Sequence, residues 1–235
     1  MLIASTIAAS TAFASAEAAL AANKVVVFGG SGYVGAYASK MLLQQGCEVV
    51  SVSRAPPAAQ ADKVKAILGS GLSGSIKFET LDALDSDLSG VLAGASAVIS
   101  CVGVAPGGPN QRDGNGKANV KIADAVKAAG ISNFVYIGVA NELSGGPIKF
   151  IFGDYVKGKA EAVSAVNKDF GASALILQPG IIAGGPPGDV RPPGPPGMTP
   201  VPVEAVAKAA VAGALGKKSG VVDGNDAIAS VASAL

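Results

Sequence analysis

Residues 24–35, Lys-Val-Val-Val-Phe-Gly-Gly-Ser-Gly-Tyr-Val-Gly, decide the fold because a short apolar run meets a cluster of glycines there. The apolar residues, 25–28, are β-branched or aromatic, which is typical of a strand buried on both faces. Gly29, Gly32 and Gly35 then recur at every third position before an amphipathic stretch. This order predicts a strand, a tight turn and the start of a helix.

Each glycine has a separate use in such a turn. The first permits a sharp change of direction, the second lets the backbone approach a pyrophosphate, and the third lets the helix pack closely on the strand. Free N–H groups at the positive end of the helix would then bind the phosphates. A glycine triplet alone also fits an ordinary turn between a strand and a helix. Because strand, spacing and helix agree here, we predict a nucleotide-binding turn.

Strand and helix patterns alternate along the rest of the chain, which indicates a parallel sheet wound by right-handed crossovers. We therefore predict an α/β fold: a single Rossmann-like domain with a doubly wound parallel sheet of about six or seven strands and helices on both faces. The predicted strands after the first are residues 48–53, 76–81, 97–102, 133–139, 174–178 and 221–223. The predicted helices include 33–45, 60–70, 117–129, 203–215 and one that begins near residue 154.

Changes in composition set the limits of this domain. We expect residues 1–22, rich in Ala and Ser, to be a targeting remnant or a tail, residues 23–220 to form the Rossmann domain and residues 221–235 to be a C-terminal tail. The proline-rich stretch 186–202 is predicted to be an extended surface loop. The segment 10–14, Ser-Thr-Ala-Phe-Ala, resembles a cleavage motif of plastid-targeting presequences. We therefore favour an organellar location, plastid first, with mitochondrial or cytoplasmic locations as alternatives.

The charge balance and the residue counts exclude several classes of function. With 15% charged residues and a net charge of +1, the chain has no field that recruits nucleic acid, so we expect a small molecule or a protein as partner. The absence of histidine excludes a His-based triad, general base or metal site. Cys47 and Cys101 have no metal-type spacing and are predicted to be free buried thiols. We expect no transmembrane span, and peripheral membrane association stays open.

The end of the second predicted strand bears on the choice of cofactor. Folds of this kind that prefer NAD usually carry an acidic residue there, which bonds the ribose hydroxyls, whereas an Arg accommodates the 2′-phosphate of NADP. This chain has Ser53 and Arg54 at that point. NADP(H) is therefore favoured over NAD(H), with an ordinary exposed loop arginine as the alternative.

Tyr155 and Lys159 are the candidate catalytic residues. They stand four positions apart at the start of a predicted helix, so both side chains lie on one helix face. A lysine at that distance can lower the pKa of the phenol, which makes tyrosine a usable proton donor near neutral pH. The alternative is a surface tyrosine on a lysine-rich helix. Because the pair follows a dinucleotide turn, we favour the catalytic interpretation.

Six stretches of the chain together resemble the short-chain dehydrogenase/reductase superfamily. The closer resemblance is to its atypical NAD(P)-binding branch, which is similar to the complex I accessory subunit, reductase-like accessory proteins of ubiquinone biosynthesis and their chloroplast relatives. The stretches occur in the expected order between residues 25 and 215: VVVFGGSGYVG, VISCVG, NGKANVKIADAVKAAGISNFVYIGVA, YVKGKAEA, LILQPGII and VPVEAVAKAAVAGAL.

The resemblance implies a role for each matching residue. Tyr155 would be the catalytic acid, Lys159 would bond the nicotinamide ribose, and no metal site is implied. The other implied contacts are Gly29, Gly32 and Gly35 with the backbone of Tyr33 and Val34 at the pyrophosphate; Ser53 and Arg54 at the 2′-phosphate; Asp82 and Ala83 at the adenine; Cys101, Val102 and Gly103 at the adenosine ribose; and Pro179, Ile182 and the residues between them at the nicotinamide.

Two departures from the family weaken the prediction of an enzyme. Active members place a Ser or Thr at the end of the fifth strand, where its hydroxyl holds the substrate carbonyl. Here Gly138, Val139 and Ala140 stand at that place, and the next hydroxyl is that of Ser144. Loss of one preorganised donor typically costs about 10²- to 10³-fold in rate. In addition, the region after residue 182 lacks the apolar helices that form a substrate lid in relatives.

Two functions therefore stay open. The first is a structural or regulatory subunit of a larger assembly, in which a bound cofactor stabilises the fold and catalysis is weak or vestigial. The second is an NADPH-dependent reductase that acts on a carbonyl or a quinone. The two departures favour the first.

Overall fold

The computed structural model describes residues 23–69, 72, 75–144, 153–185 and 198–234. The predictions for the N-terminal segment 1–22, and for most of the proline-rich loop 186–202, fall outside these residues. All strands and helices given below belong to the described part of the chain.

Seven parallel strands form the sheet, in the spatial order β3-β2-β1-β4-β5-β6-β7. Every neighbouring pair is parallel, and the order reverses between β1 and β4, as it does in doubly wound dinucleotide-binding folds. The predicted α/β Rossmann-like fold is therefore confirmed. The strands are β1 Lys24–Phe28, β2 Glu48–Ser53, β3 Lys77–Thr80, β4 Ala97–Ser100, β5 Asn133–Ile137, β6 Leu175–Gln178 and β7 Gly220–Asp223.

Helices cover both faces of this sheet, because alternate residues of each strand point to opposite sides. Val25 and Val27 of β1 belong to one apolar layer, and Val26 and Phe28 belong to the other. Helices α1, α2, α7 and α8 contribute to the first layer, and α3, α4 and α6 to the second. The helices are α1 Tyr33–Gln44, α2 Pro57–Leu68, α3 Ser89–Leu92, α4 Ala118–Ala128, α5 Asn141–Ser144, α6 Gly153–Phe170, α7 Val203–Ala214 and α8 Asn225–Ser233.

The structure differs from the sequence prediction in two places. Residue 117, the predicted start of a helix, is instead the last residue of a π-helical turn, Asp113–Lys117, that continues into α4. Helix α2 begins at Pro57, earlier than predicted, because proline is well suited to the first position of a helix. The predicted strand 221–223 is present as β7, which pairs with β6, and α8 follows it and buries Ile228.

Across the described ranges, no helix combines the length and the hydropathy that crossing a membrane requires.

Gly35 provides a direct test of the packing between α1 and the glycine turn. A Cβ atom at this position would overlap the carbonyl oxygen of Gly29 and lie 2.8 Å from Cα of Gly30. We expect Gly35→Ala to lower the free energy of unfolding by about 1–3 kcal/mol, since the backbone must shift. Gly90→Ala in α3 is the matched control, because no atom lies within 4 Å of its added Cβ. This control should be neutral or stabilising by up to about 1 kcal/mol. Equal unfolding midpoints for the two variants in urea would contradict the prediction.

Candidate cofactor-binding site

The glycine turn packs against the end of β4 by backbone alone. Gly29 has a φ of +75°, and a Cβ on it would lie 3.0 Å from both the carbonyl carbon and the oxygen of Cys101. Its N–H donates to the carbonyl of Val52 over 2.8 Å, which joins the turn to β2 as well. Gly32 precedes α1 without a side-chain cap, and the first turn of α1 contains no acidic residue. The positive end of this helix therefore carries no competing anion of its own.

The end of β2 is held by a buried amide that the sequence analysis did not identify. Gln60 is fully buried, accepts a hydrogen bond from the Ser51 hydroxyl over 3.0 Å, and donates to the carbonyls of Ala55 and Glu79 over 2.9 Å each. Ser53 accepts a bond from the N–H of Ala55. These bonds fix the short loop on which Arg54 is exposed to solvent.

Two further predicted contacts follow β3 and β4. Asp82 accepts a bond from the N–H of Leu84 over 2.9 Å, next to the buried Ala83. The N–H of Cys101 donates to the carbonyl of Phe28 over 2.8 Å, and burial raises the pKa of the Cys101 thiol to about 12. The segments predicted to contact adenosine and pyrophosphate therefore lie together at the carboxyl ends of β1 to β4.

Lys159 is buried where β4 and β5 end. Its side chain is 7% exposed, and its ammonium group donates to the carbonyl of Ile137 over 2.9 Å and lies 5.3 Å from the ring centre of Tyr136. Burial lowers the pKa of Lys159 to about 8, against a smaller opposite effect of Cys101. A Cβ on Gly103 would lie 3.5 Å from Nζ, so lysine and the predicted ribose segment are neighbours.

Tyr155 lies one turn before Lys159 and is partly buried. Its proximity contributes to the raised pKa of the Tyr136 phenol, after the larger effect of burial. Lys159 also lines a cavity of about 220 Å³ with Val139, Ser144 and Gln178, whereas Tyr155 is not among the described residues that line it. Ser144 thus lines the same cavity as Lys159, and its hydroxyl donates to the carbonyl of Asn141 over 3.1 Å.

The predicted nicotinamide wall follows β6. The carbonyl of Pro179 accepts a bond from the N–H of Ala140 over 2.9 Å, and Ile182 forms a parallel bridge with Val201. The hydroxyl of Tyr33 donates to the carbonyl of Ala183 over 3.2 Å, which joins this wall to the glycine turn.

Two buried asparagines close the loop after β4, and sequence reasoning missed both. Asn115 in the π-helical turn donates to the carbonyls of Val104 and Gln111 and accepts from the N–H of Val104. Asn119 accepts from Ser100 over 2.6 Å and donates to the carbonyl of Val102. The available signal was two amides four positions apart ahead of an apolar helix.

The fold and the site together define an NAD(P)-binding, oxidoreductase-like domain. Residues 29–215 match the model of a family described as NAD(P)H-binding, and the chain belongs to this family. An uncharacterised chloroplastic protein of Arabidopsis thaliana is 33% identical over 69% of this chain and 51% of its own length. The mitochondrial protein fmp-52 of Neurospora crassa is 29% identical over 69% of this chain and 66% of its own length. The chain thus spans about half to two thirds of these relatives.

Solved structures show the same fold. A putative NAD-dependent epimerase/dehydratase from Bacillus halodurans has a TM-score of 0.66 and 20% identity, over 90% of this chain and 99% of that one. The enzyme WbmH of Bordetella bronchiseptica, in complex with NAD⁺, has a TM-score of 0.64 and 18% identity, over 86% and 75%. The oxidoreductase ylbE from Lactococcus lactis has a TM-score of 0.60 and 18% identity, over 90% and 96%.

The residues present fit a dinucleotide. The cradle at Gly29, which a Cβ would fill, and the start of α1 suit a pyrophosphate, and the loop of Arg54 borders the same edge of the sheet. Lys159 lies where β4 and β5 end, beside Ile137 and Gly103. A bound nicotinamide cofactor supplies hydride transfer, which no side chain of this protein can supply.

The buried ammonium of Lys159 predicts a pH dependence of stability. Below pH 8 Lys159 is protonated in both the folded and the unfolded state, and burial of its charge lowers the stability of the fold. Between about pH 8 and 10.5 the folded state has released this proton and the unfolded state still binds it, so the stability of the wild type rises with pH. Lys159→Met lacks this rise. We expect its stability relative to the wild type to fall by up to about 3 kcal/mol across that range in urea titrations. Lys168→Met, on the exposed side of α6, should follow the wild type. If the free energies of unfolding of Lys159→Met and of the wild type change with pH in the same way, the prediction is wrong.

Proposed function

We propose that this chain is an NADP(H)-binding accessory or structural subunit of a larger organellar assembly, with weak or vestigial catalysis. The observation that carries the proposal is the end of β5, where Gly138, Val139 and Ala140 carry no side-chain hydroxyl. The next hydroxyl along the chain, that of Ser144, donates to the carbonyl of Asn141 in its own helix and lies in a cavity that Lys159 also lines. The sequence thus keeps the glycine turn of a cofactor site and lacks the hydroxyl that active family members place at the end of the fifth strand.

A bound cofactor has a use in such a subunit without turnover. A ligand that binds only the folded state stabilises it by mass action, so cofactor affinity can be retained for stability or for sensing the ratio of reduced to oxidised cofactor. The carboxyl ends of β1 to β4 supply the contacts for the adenosine half. This half of the site needs no hydroxyl at the end of β5.

The organellar location rests on the relatives. One is described as chloroplastic and another as mitochondrial, which supports an organelle and leaves the choice between the two open. The plastid-like motif at residues 10–14 favours the plastid. We further propose that the partner is a protein and that any association with a membrane is peripheral.

The second candidate is an active NADPH-dependent reductase of a carbonyl or quinone substrate. It is favoured by the lowered pKa of Lys159, about 8, because this lysine, one helical turn after Tyr155, would gain or lose its proton not far from neutral pH. In this case Tyr155 would donate the proton and Lys159 would hold the nicotinamide ribose.

Cofactor preference is tested with Arg54→Ala. We expect NADPH to bind the wild type more tightly than NADH, and the variant to lose about 10- to 100-fold in NADPH affinity while NADH binding stays nearly constant, because a charged hydrogen bond to the 2′-phosphate is removed. Cofactor fluorescence measures both affinities. Lys208→Ala, which removes one positive charge from an exposed position on α7, is the matched control and should change neither the NADPH nor the NADH affinity. No binding of either cofactor to the wild type would refute the proposal, and equal binding of both would refute the preference.

Tyr155→Phe separates the two candidate functions. For an accessory subunit, we expect NADPH oxidation with a panel of carbonyl and quinone compounds to stay close to the uncatalysed rate, with or without the hydroxyl. For a reductase, the substitution should abolish turnover and leave NADPH affinity nearly unchanged, since the hydroxyl acts on the substrate. Rapid wild-type turnover that depends on Tyr155 would therefore replace the first candidate by the second.

A further inference from the structure

One short turn after β7 ties together the ends of three strands. The carboxylate of Asp223 accepts two bonds from Asn141, which follows β5: one from the backbone N–H over 3.0 Å and one from the side-chain amide over 2.9 Å. The N–H of Gly224 donates to the carbonyl of Gln178 at the end of β6 over 3.0 Å. The third residue of the turn, Asn225, reaches the predicted nicotinamide wall.

The amide of Asn225 makes three hydrogen bonds to backbone there. Its oxygen accepts from the N–H of Gly180 over 2.8 Å, and its nitrogen donates to the carbonyls of Ile181 over 3.1 Å and Thr199 over 2.7 Å. Gly180 and Ile181 precede the proline-rich stretch, and Thr199 follows its undescribed part. One side chain therefore holds both stems of that stretch in register.

The turn that carries Asn225 is itself fixed. Val222, just before it, and Ile228, on the helix after it, are both buried in the apolar layer of α1 and α7. Gly224 has a φ of +88°, which directs the chain from β7 into α8. The core thus holds the backbone that carries Asn225, and the side-chain amide is bonded to the irregular segment after β6.

We propose that Asn225 is a positioning residue for the nicotinamide half of the cofactor site: its three hydrogen bonds hold residues 180–181 in the shape that receives this half. The inference rests on the proposed NADP(H) binding. It goes beyond the family match, since Asn225 lies after the matched residues 29–215. The adenosine half, at β1 to β4, has no contact with this residue among the bonds described and should not depend on it.

Only a side-chain amide of this length supplies both kinds of bond at once. An alanine removes all three bonds. An aspartate keeps an acceptor for the Gly180 N–H and turns a second carboxylate oxygen towards two carbonyls, which repels them. Asn225→Asp should therefore be at least as harmful to the wall as Asn225→Ala, although it conserves size.

The test compares two ligands on the full chain. NADPH occupies both halves of the site, whereas adenosine 2′,5′-bisphosphate lacks the nicotinamide and occupies the adenosine half alone. We expect both Asn225 variants to bind NADPH about tenfold more weakly than the wild type and adenosine 2′,5′-bisphosphate unchanged. The bound NADPH should also lose part of its fluorescence enhancement, which reports the surroundings of the reduced ring. Asn167→Ala, at an exposed position on α6, is the matched control and should bind both ligands as the wild type does.

The other outcomes each overturn the inference in a recognisable way. Unchanged NADPH affinity would show that the wall is set without Asn225. Equal weakening of both ligands, or loss of folding in both variants by thermal melting, would assign the residue a structural role alone. If the wild type binds neither ligand, the proposed NADP(H) function is wrong, and this inference with it. If that function holds, Arg54→Ala should lower the affinity for both NADPH and adenosine 2′,5′-bisphosphate.

Discussion

The close approach of the turn after β1 to the end of β4 is the constraint on which the rest of the site depends. At Gly29 the backbone itself is the contact surface, with room for a hydrogen and none for a methyl group. This contact stands where the strand order reverses, so the chain diverges on either side and leaves a crevice above the sheet. The predicted cofactor contacts lie at the carboxyl ends of the strands, along this crevice.

The regular parts of this structure could be predicted from sequence because their determinants are local. A valine-rich run and glycines at every third position define β1 and α1 within twelve residues. The bonds of Asn115, Gln60 and Asn225 could not be predicted, because each amide pairs with carbonyls of other segments whose approach depends on tertiary packing. The chemistry of the site lies mostly in this second category, and the exact role of each cofactor contact stays a prediction.

Lys159 shows that a sequence pattern can single out a residue without predicting its surroundings. The four-residue spacing from Tyr155 singled it out, and the helix places it at the junction of β4 and β5. Burial, which no local pattern reports, then gives its ammonium group a carbonyl partner and a lowered pKa of about 8. Gly116 and Gly158 make this burial feasible, since their backbones meet with space for no larger residue.

The bonds of Asn225 also affect the order in which parts of the chain can fold. The sequence separation from Gly180 is 45 residues, so the glycine turn and the first five strands can form while the stems of the proline-rich stretch still lack their anchor. Contacts of such separation form late, after the loop between them has been closed. In a growing chain the turn after β1 can therefore close on the end of β4 before residues 180 and 181 gain their bonds to Asn225.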